Sequence, residues 1–142
     1  MNHLSVDADA IVAGRMSPHE QPVLYSADLA GCEALPRFAP DAIATAFSAA
    51  LRGAGATVVQ ESRHAFPGGG LTCVLILQES HAVAHTWPET GTVNIDIFSC
   101  SSRLRSLAAI DELGRLFGAS GVTVQEVARA DGHQRATVLR GA

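Results

Sequence analysis

An α+β two-layer sandwich, a mainly antiparallel sheet with two helices on one face, is the fold that this 142-residue sequence predicts. Three features carry that expectation. Strand-like runs follow one another between residues 56 and 99 with only turns between them, a connectivity suited to antiparallel pairing. Two other segments repeat apolar residues at helical spacing. One strand-like run precedes the first helix and another follows the second, giving the order β-α-β-β-β-β-α-β.

Residues 1–21 read as a polar lead-in ending at Pro18-His19-Glu20. Val23 to Leu29 is the first strand, closed by Gly31. Pro40-Asp41 opens a helix with Asp41 as its cap. Ile43, Phe47, Ala50 and Leu51 share one face of that helix, and Gly53 and Gly55 end it. Ala56 to Ala65 is the second strand, and Pro67-Gly68-Gly69-Gly70 turns the chain. Leu71 to Gln78 follows as a continuous apolar run, which implies a central strand or one buried on both faces. His81 to Trp87 is the fourth strand and Pro88 to Gly91 the next turn. Thr92 to Ser99 alternates cleanly, with Val93, Ile95 and Ile97 on one face and Asn94, Asp96 and Phe98 on the other. The second helix spans Arg103 to Phe117 with an apolar stripe of Leu104, Leu107, Ile110, Leu113 and Leu116. Gly118 and Gly121 stop it, Val122 to Ala128 forms the last strand, and residues 131–142 are a polar tail. No linker separates two cores, so residues 22–130 are expected to form one domain. A sheet covered on one face only would leave an apolar face that invites a second copy of the chain.

Composition narrows the function classes. Hydrophobic residues make up 47% of the chain, which points to a packed globular fold. The net charge is -4 and no run of Lys or Arg stands out, which argues against nucleic acid as a partner. Cys32, Cys73 and Cys100 form no CxxC pair, and an odd count fits a reducing compartment. No apolar run approaches membrane-spanning length, and the N-terminal region, with Asp7 and Asp9, lacks a signal-peptide pattern. The expected compartment is the cytoplasm.

The residues suited to chemistry cluster between 79 and 100. Ser80, His85 and Cys100 are each, taken singly, ordinary strand residues: a polar edge serine, a hydrogen-bonded histidine, a small buried thiol. Together they suggest more, because the turn at Pro88 to Gly91 brings the strand of Cys100 beside that of Ser80 and His85. A Ser-His or Cys-His nucleophile is one reading, although no Gly-x-Ser-x-Gly elbow is present. A metal is a weaker one. His81 and His85 share a strand face but lie roughly 13 Å apart at the usual rise, too far for one zinc with bonds of about 2 Å; no metal site is expected. Gly68-Gly69-Gly70 lacks the Lys-Ser/Thr of a phosphate-binding loop.

Three linked motifs, Glu79-Ser80-His81, His85-Thr86-Trp87-Pro88-Glu89 and Asp96-Ile97-Phe98-Ser99-Cys100, stand at fixed separations behind His64, Phe66-Pro67, Gly70 and Thr72-Cys73. In this the chain closely resembles the prokaryotic S-adenosylmethionine decarboxylase family, specifically from 64 to 100 and in element order over about 22 to 130. The resemblance implies a self-processing carboxy-lyase with a covalent pyruvoyl cofactor, working as a homodimer and supplying aminopropyl groups for spermidine synthesis. Cleavage would fall between Glu79 and Ser80, giving chains 1–79 and 80–142, with Ser80 converted to the pyruvoyl group that forms a Schiff base with the substrate amine. By the same resemblance His85 is the processing base, Thr72 a hydroxyl assisting at the oxyanion, and Cys100 the proton donor after decarboxylation. Glu89 would bind the ribose hydroxyls and Phe66 would stack on the adenine. Trp87 and His64 read as shaping the pocket wall or the core and receive no chemical role, and Asn94 and Asp96 read as polar sheet residues.

The chain departs from the family pattern at three places. Its first strand ends Asp28-Leu29-Ala30-Gly31-Cys32-Glu33 without the usual aromatic pair, Ser101 replaces the glycine after the catalytic cysteine, and Cys73 is larger than usual. If that first strand lines the nucleoside pocket, adenine recognition is weakened. Two alternatives therefore stand beside the main reading: the same cofactor acting on ornithine or arginine, and a non-catalytic binding homologue.

Overall fold

The computed structural model describes residues 22–100, 104–129 and 135–140. Seven strands form one sheet: β1 (Val23–Ala30), β2 (Val58–Ala65), β3 (Leu71–Leu77), β4 (Ser80–Trp87), β5 (Thr92–Ser99), β6 (Gly121–Ala128) and β7 (Arg135–Arg140). Their spatial order is β2-β3-β4-β5-β1-β6-β7, and every neighbouring pair is antiparallel. The helices α1 (Pro40–Gly53) and α2 (Ser106–Phe117) pack on each other and on a single face of the sheet, α1 over β2 and β3, α2 over β1 and β5. The two-layer α+β sandwich expected from the sequence is the fold observed. The lead-in 1–21 lies outside the described residues.

Burial explains the layering. In β5, Val93, Ile95, Ile97 and Ser99 are buried while Asn94, Asp96 and Phe98 are only partly so, as period two requires. In α1 the buried residues are Ile43, Ala44, Phe47, Ala50 and Leu51, the face anticipated from helical spacing. At the open end of the sandwich Phe38 meets Phe117 edge-on at 5.2 Å between ring centroids.

Four details differ from the sequence reading. Asp41 is not the cap of α1: Ala39 holds that position without a side-chain bond, and Pro40 takes the first helical position, where its missing N–H costs nothing. Asp41 instead sits in the first turn, where Arg63 on β2 donates to it at 2.9 Å. The second helix begins at Ser106, and its buried face is Ser106, Ala109, Ile110, Leu113, Gly114 and Phe117. Leu107 and Leu116 fall on its partly buried flank, because small residues at 106, 109 and 114 let the helix approach the sheet closely. The polar tail is not wholly outside the fold, since Arg135–Arg140 pairs with β6 as a seventh strand and Arg140 forms an ion pair with Asp111 on α2. Finally, of the two readings of the β3 run the interior strand is observed, paired with β2 and β4, while burial on both faces is not: Leu71, Cys73, Leu75 and Leu77 lie under the helices, whereas Ile76 is 44% exposed on the other side. Its apolar run therefore reflects one core face and one bare face.

That bare face carries the site. Cross-strand register orders its side chains into rows: Leu24, Phe98, His81 and Ile76; then Ser26, Asp96, Val83 and Val74; then Asp28, Asn94, His85 and Thr72. The rows run from an apolar end, near the start of β4, to a polar end near its finish.

Candidate active site

Two clusters of chemistry-bearing residues lie at opposite ends of β4. The first forms around the β3–β4 turn. Leu77 pairs with Ser80, so Gln78 and Glu79 are the two central residues of a tight hairpin. Glu79 has φ +62°, alone among the described non-glycine residues in having positive φ. The left-handed region crowds a Cβ against the carbonyl, a cost of about 1–2 kcal/mol, so the residue whose carbonyl precedes Ser80 is held in a strained conformation. The backbone N–H of Cys100, just past β5, donates to Ser80 Oγ at 3.4 Å. The Cys100 thiol is pushed up from its ordinary range, first by burial and then by the Glu79 carboxylate, so it keeps its proton at neutral pH. Glu79→Gly, placed in a chain that also carries Ser80→Ala so that only folding is read, is expected to raise stability by about 1 kcal/mol in urea unfolding, because glycine accepts positive φ freely.

The second cluster is the polar end of the open face. Thr72 on β3 and His85 on β4 are register partners, and Thr72 Oγ1 and His85 Nδ1 are 2.9 Å apart. This bond engages Nδ1 and leaves Nε2 as the ring atom free for proton transfer. Beside the pair lies a cavity of about 620 Å³ whose lining includes Phe66, Thr72, His85, Trp87 and Glu89, a size suited to a small organic ligand. The Pro67-Gly68-Gly69-Gly70 turn forms its lip; Gly68 and Gly69 both have positive φ, which explains the glycine run. Below it, Leu71 N–H donates to the buried Thr86 Oγ1 at 3.0 Å, tying the start of β3 to the end of β4. Phe66 is 49% exposed and stands 4.6 Å from His64, ring to ring. The aromatic deficit of the first strand does not touch this cavity: Leu29 is buried in the core and no β1 residue lines the pocket.

The expected grouping of Ser80, His85 and Cys100 is therefore met only in part. Ser80 and Cys100 come together; Thr72 and His85 come together; the two pairs do not meet within one chain. Five positions separate Ser80 from His85 along β4, about 17 Å at the strand rise, and an odd spacing puts them in opposite phase. Period two predicts that separation from the sequence alone.

Of the pocket-wall or core places expected for Trp87 the wall is the one observed, and the hydrogen bonds that extend from it are not visible in the sequence. Trp87 lines the cavity, and its Nε1–H donates to Asn94 Oδ1 at 2.7 Å. Asn94 Nδ2 in turn donates to Asp28 Oδ1 at 2.7 Å. The strand phase placed Asn94 on the right face, but its reach across two strands is a matter of tertiary register. The three thiols separate by environment as well. Cys32 and Cys73 are buried, and burial pushes the Cys73 thiol up to about 11, with Glu61 adding and Arg63 opposing. A thiol reagent near neutral pH is expected to modify Cys100 first, as counted by intact mass. Glu79→Gln should speed that reaction at a given pH, because removing the carboxylate lowers the Cys100 pKa.

Known proteins resemble this chain in sequence and in fold. Residues 24–130 match the family model described as S-adenosylmethionine decarboxylase. A protein of Acidithiobacillus ferrooxidans named S-adenosylmethionine decarboxylase proenzyme is 33% identical over 103 residues, covering 72% of this chain and 77% of the relative. One of the same name from Clostridium kluyveri is 37% identical over 76 residues, 54% of this chain and 60% of that one. Among solved structures, the adenosylmethionine decarboxylase of Aquifex aeolicus superposes with a TM-score of 0.69 at 22% identity, over 83% of this chain and 98% of that one, a likeness of fold. The fold and the matched segment place the chain among the carboxy-lyases. It belongs to the S-adenosylmethionine decarboxylase family.

Proposed function

We propose that this protein is a self-processing decarboxylase of S-adenosylmethionine that cuts itself between Glu79 and Ser80 and works in the cytoplasm as a homodimer, supplying the aminopropyl donor for spermidine synthesis. The observation that carries the reading is the strained Glu79 immediately before Ser80, with Ser80 Oγ bonded by the Cys100 amide. In the processing step Ser80 Oγ attacks the Glu79 carbonyl carbon and the acyl group moves from nitrogen to oxygen, leaving an ester and a free amine. Removal of the Ser80 Cα proton expels the Glu79 carboxylate and leaves a dehydroalanine at position 80. Its tautomer takes up water and releases ammonia, so that the downstream chain begins with a pyruvoyl group. The leftward turn of Glu79 relaxes on cleavage, which favours the forward direction. The residues at the site fit that group: a hydroxyl at the strained bond, an amide donor beside it, and a protonated thiol nearby.

The pyruvoyl group supplies a ketone that captures the substrate amine and withdraws electrons during loss of carbon dioxide. Cys100 Sγ, kept protonated by burial and by Glu79, is the proton donor to the carbon that loses carbon dioxide. His85, oriented by Thr72, is the base in processing, and the Thr72 hydroxyl assists at the oxyanion. Phe66 and Trp87 offer flat apolar walls for an adenine and Glu89 a carboxylate for ribose hydroxyls. A wide aromatic pocket suits a nucleoside better than the aliphatic chain of ornithine or arginine.

The separation of the two clusters supports the homodimer. A second copy laid on the open face about a two-fold axis that lies in the interface and crosses the strands would run its β4 against the first in reverse, so that the Thr72–His85 end of one copy meets the Ser80–Cys100 end of the other. The same contact covers Ile76 and Trp87, which are 44% and 48% exposed in one chain. Intact mass of the purified protein tests the reading. Two chains, 1–79 and 80–142 with a blocked pyruvoyl terminus, together with carbon dioxide release from S-adenosylmethionine but not from ornithine or arginine, are expected. A single uncut chain, or release from another amino acid alone, overturns it.

A further inference from the structure

The Asp28–Asn94–Trp87 chain of hydrogen bonds runs laterally across three strands, from β1 through β5 to β4, and ends on a wall of the pocket. Its polarity admits one arrangement. An indole N–H only donates and a carboxylate only accepts, so the bridging group must present an oxygen to one and N–H to the other. A primary amide does this, and Asn94 does it with two bonds of 2.7 Å. Asn94 is also the register partner of His85 and lies diagonal to Trp87, so its own backbone is held by the ladder that holds the Thr72–His85 pair. Within one chain Trp87 is 48% exposed, so its own subunit packs the indole only partly, and the bond from Asn94 sets the ring's angle before a second copy covers it.

We infer that Asn94 is a positioning residue for substrate binding: anchored by Asp28, it fixes the indole of Trp87 as a rigid wall of the pocket that Phe66 also lines. The inference rests on the reading above that this pocket takes the nucleoside part of the substrate. Its effect falls on affinity. Trp87 does not touch the bond that breaks, so loss of the bridge lets the wall swing and raises KM while the chemical step is preserved. A half-exposed bond of this kind is worth about a two- to tenfold change in affinity.

Trp87 is the chain's one tryptophan, so its fluorescence reports this wall alone. The test compares the natural protein with Asn94→Leu and, from the other end of the chain, Asp28→Ala. Asn94→Leu is expected to raise KM for S-adenosylmethionine about two- to tenfold with kcat within about twofold, to leave self-cleavage complete by intact mass, and to shorten the indole rotational correlation time in time-resolved anisotropy. Asp28→Ala is expected to do the same more weakly, and to add little on top of Asn94→Leu. Unchanged KM and unchanged anisotropy in both variants overturn the inference, as does a fall in kcat at constant KM. If Asn94→Leu does not fold, Asp28→Ala carries the same readouts. The anisotropy arm is also read in a chain with Ser80→Ala. A protein that never cleaves itself therefore overturns the self-processing function, while a mobile indole in Asn94→Leu in that same uncut chain still supports the positioning role.

Discussion

Ser80→Ala is expected to yield one uncut chain and no carbon dioxide release from S-adenosylmethionine. Alanine at position 80 removes the oxygen that attacks the Glu79 carbonyl, so neither ester nor elimination can follow, and the downstream chain never acquires a pyruvoyl terminus. The loss is complete rather than graded, because in the proposed route the Ser80 hydroxyl is the nucleophile that forms the ester and also the oxygen that leaves with the Glu79 carboxylate, and without that elimination no pyruvoyl group can form. Folding should survive. Ser80 is the first residue of β4, and the bond it loses, from the Cys100 amide at 3.4 Å, is long. A circular dichroism spectrum and unfolding midpoint close to those of the natural chain, beside a single full-length mass, are the expected pair of results. Cleavage at the same bond in Ser80→Ala would remove Ser80 from the mechanism.

The second large effect concerns where His85 acts. His85→Ala alone is expected to stay uncut, since His85 carries the imidazole that is bonded to Thr72 Oγ1 and lines the pocket, whereas His64, the register partner of Thr72 on β2, is not among the lining residues. Co-expressed with Ser80→Ala, it should be cut again. In a mixed dimer the His85→Ala chain keeps Ser80 and Cys100 and receives Thr72 and His85 from its partner, while the opposite site lacks both Ser80 and His85. With equal expression about half of the dimers are mixed, so about half of the His85→Ala chains should be cleaved and the Ser80→Ala chains not at all. Mass spectrometry separates the two variants. No cleavage in the mixture, with mixed dimers confirmed by pull-down, would place the whole site within one chain. The 17 Å or so between Ser80 and His85 along a single strand is the physical reason to expect rescue.

Much of this architecture is legible in the sequence because the patterns are local. The alternation of Val93, Ile95 and Ile97 assigns the faces of β5 without any knowledge of its neighbours. Ile43, Phe47 and Leu51 do the same for α1, and the Pro67 to Gly70 and Pro88 to Gly91 turns bracket their strands. What is not legible depends on distant partners. The segment Arg135–Arg140 is too short and too charged to declare itself, and becomes a strand because β6 presents a free edge to it. The buried face of α2 is rotated from its leucine stripe because Gly114 and Ala109 permit close approach to β1, a matter of volume and not of hydropathy. At the site, the motifs locate Ser80, His85, Cys100 and Thr72, and the strand period already separates Ser80 from His85 by phase. The strain at Glu79 has no such signal, since Gln78-Glu79 carries none of the residues that favour a left-handed turn. The hydrogen bond from Trp87 through Asn94 to Asp28 requires three strands in register before it exists.

The strand order has a further consequence for the proposed cleavage between Glu79 and Ser80. The upstream piece carries β1, β2 and β3, and the downstream piece carries β4, β5, β6 and β7. Because β1 lies between β5 and β6, the two pieces are interleaved and not merely side by side. Pulling them apart means breaking the ladders on both edges of β1 as well as the β3–β4 ladder, so scission of the backbone does not loosen the product. It does change the reaction order of assembly. The intact chain folds by a unimolecular route whatever its dilution, whereas the two pieces, once unfolded, must find each other and thread a strand into a closed gap. With the proposed cleavage, the molecule would fold as one polymer and persist as two, and its maturation would be a step that denaturation does not retrace.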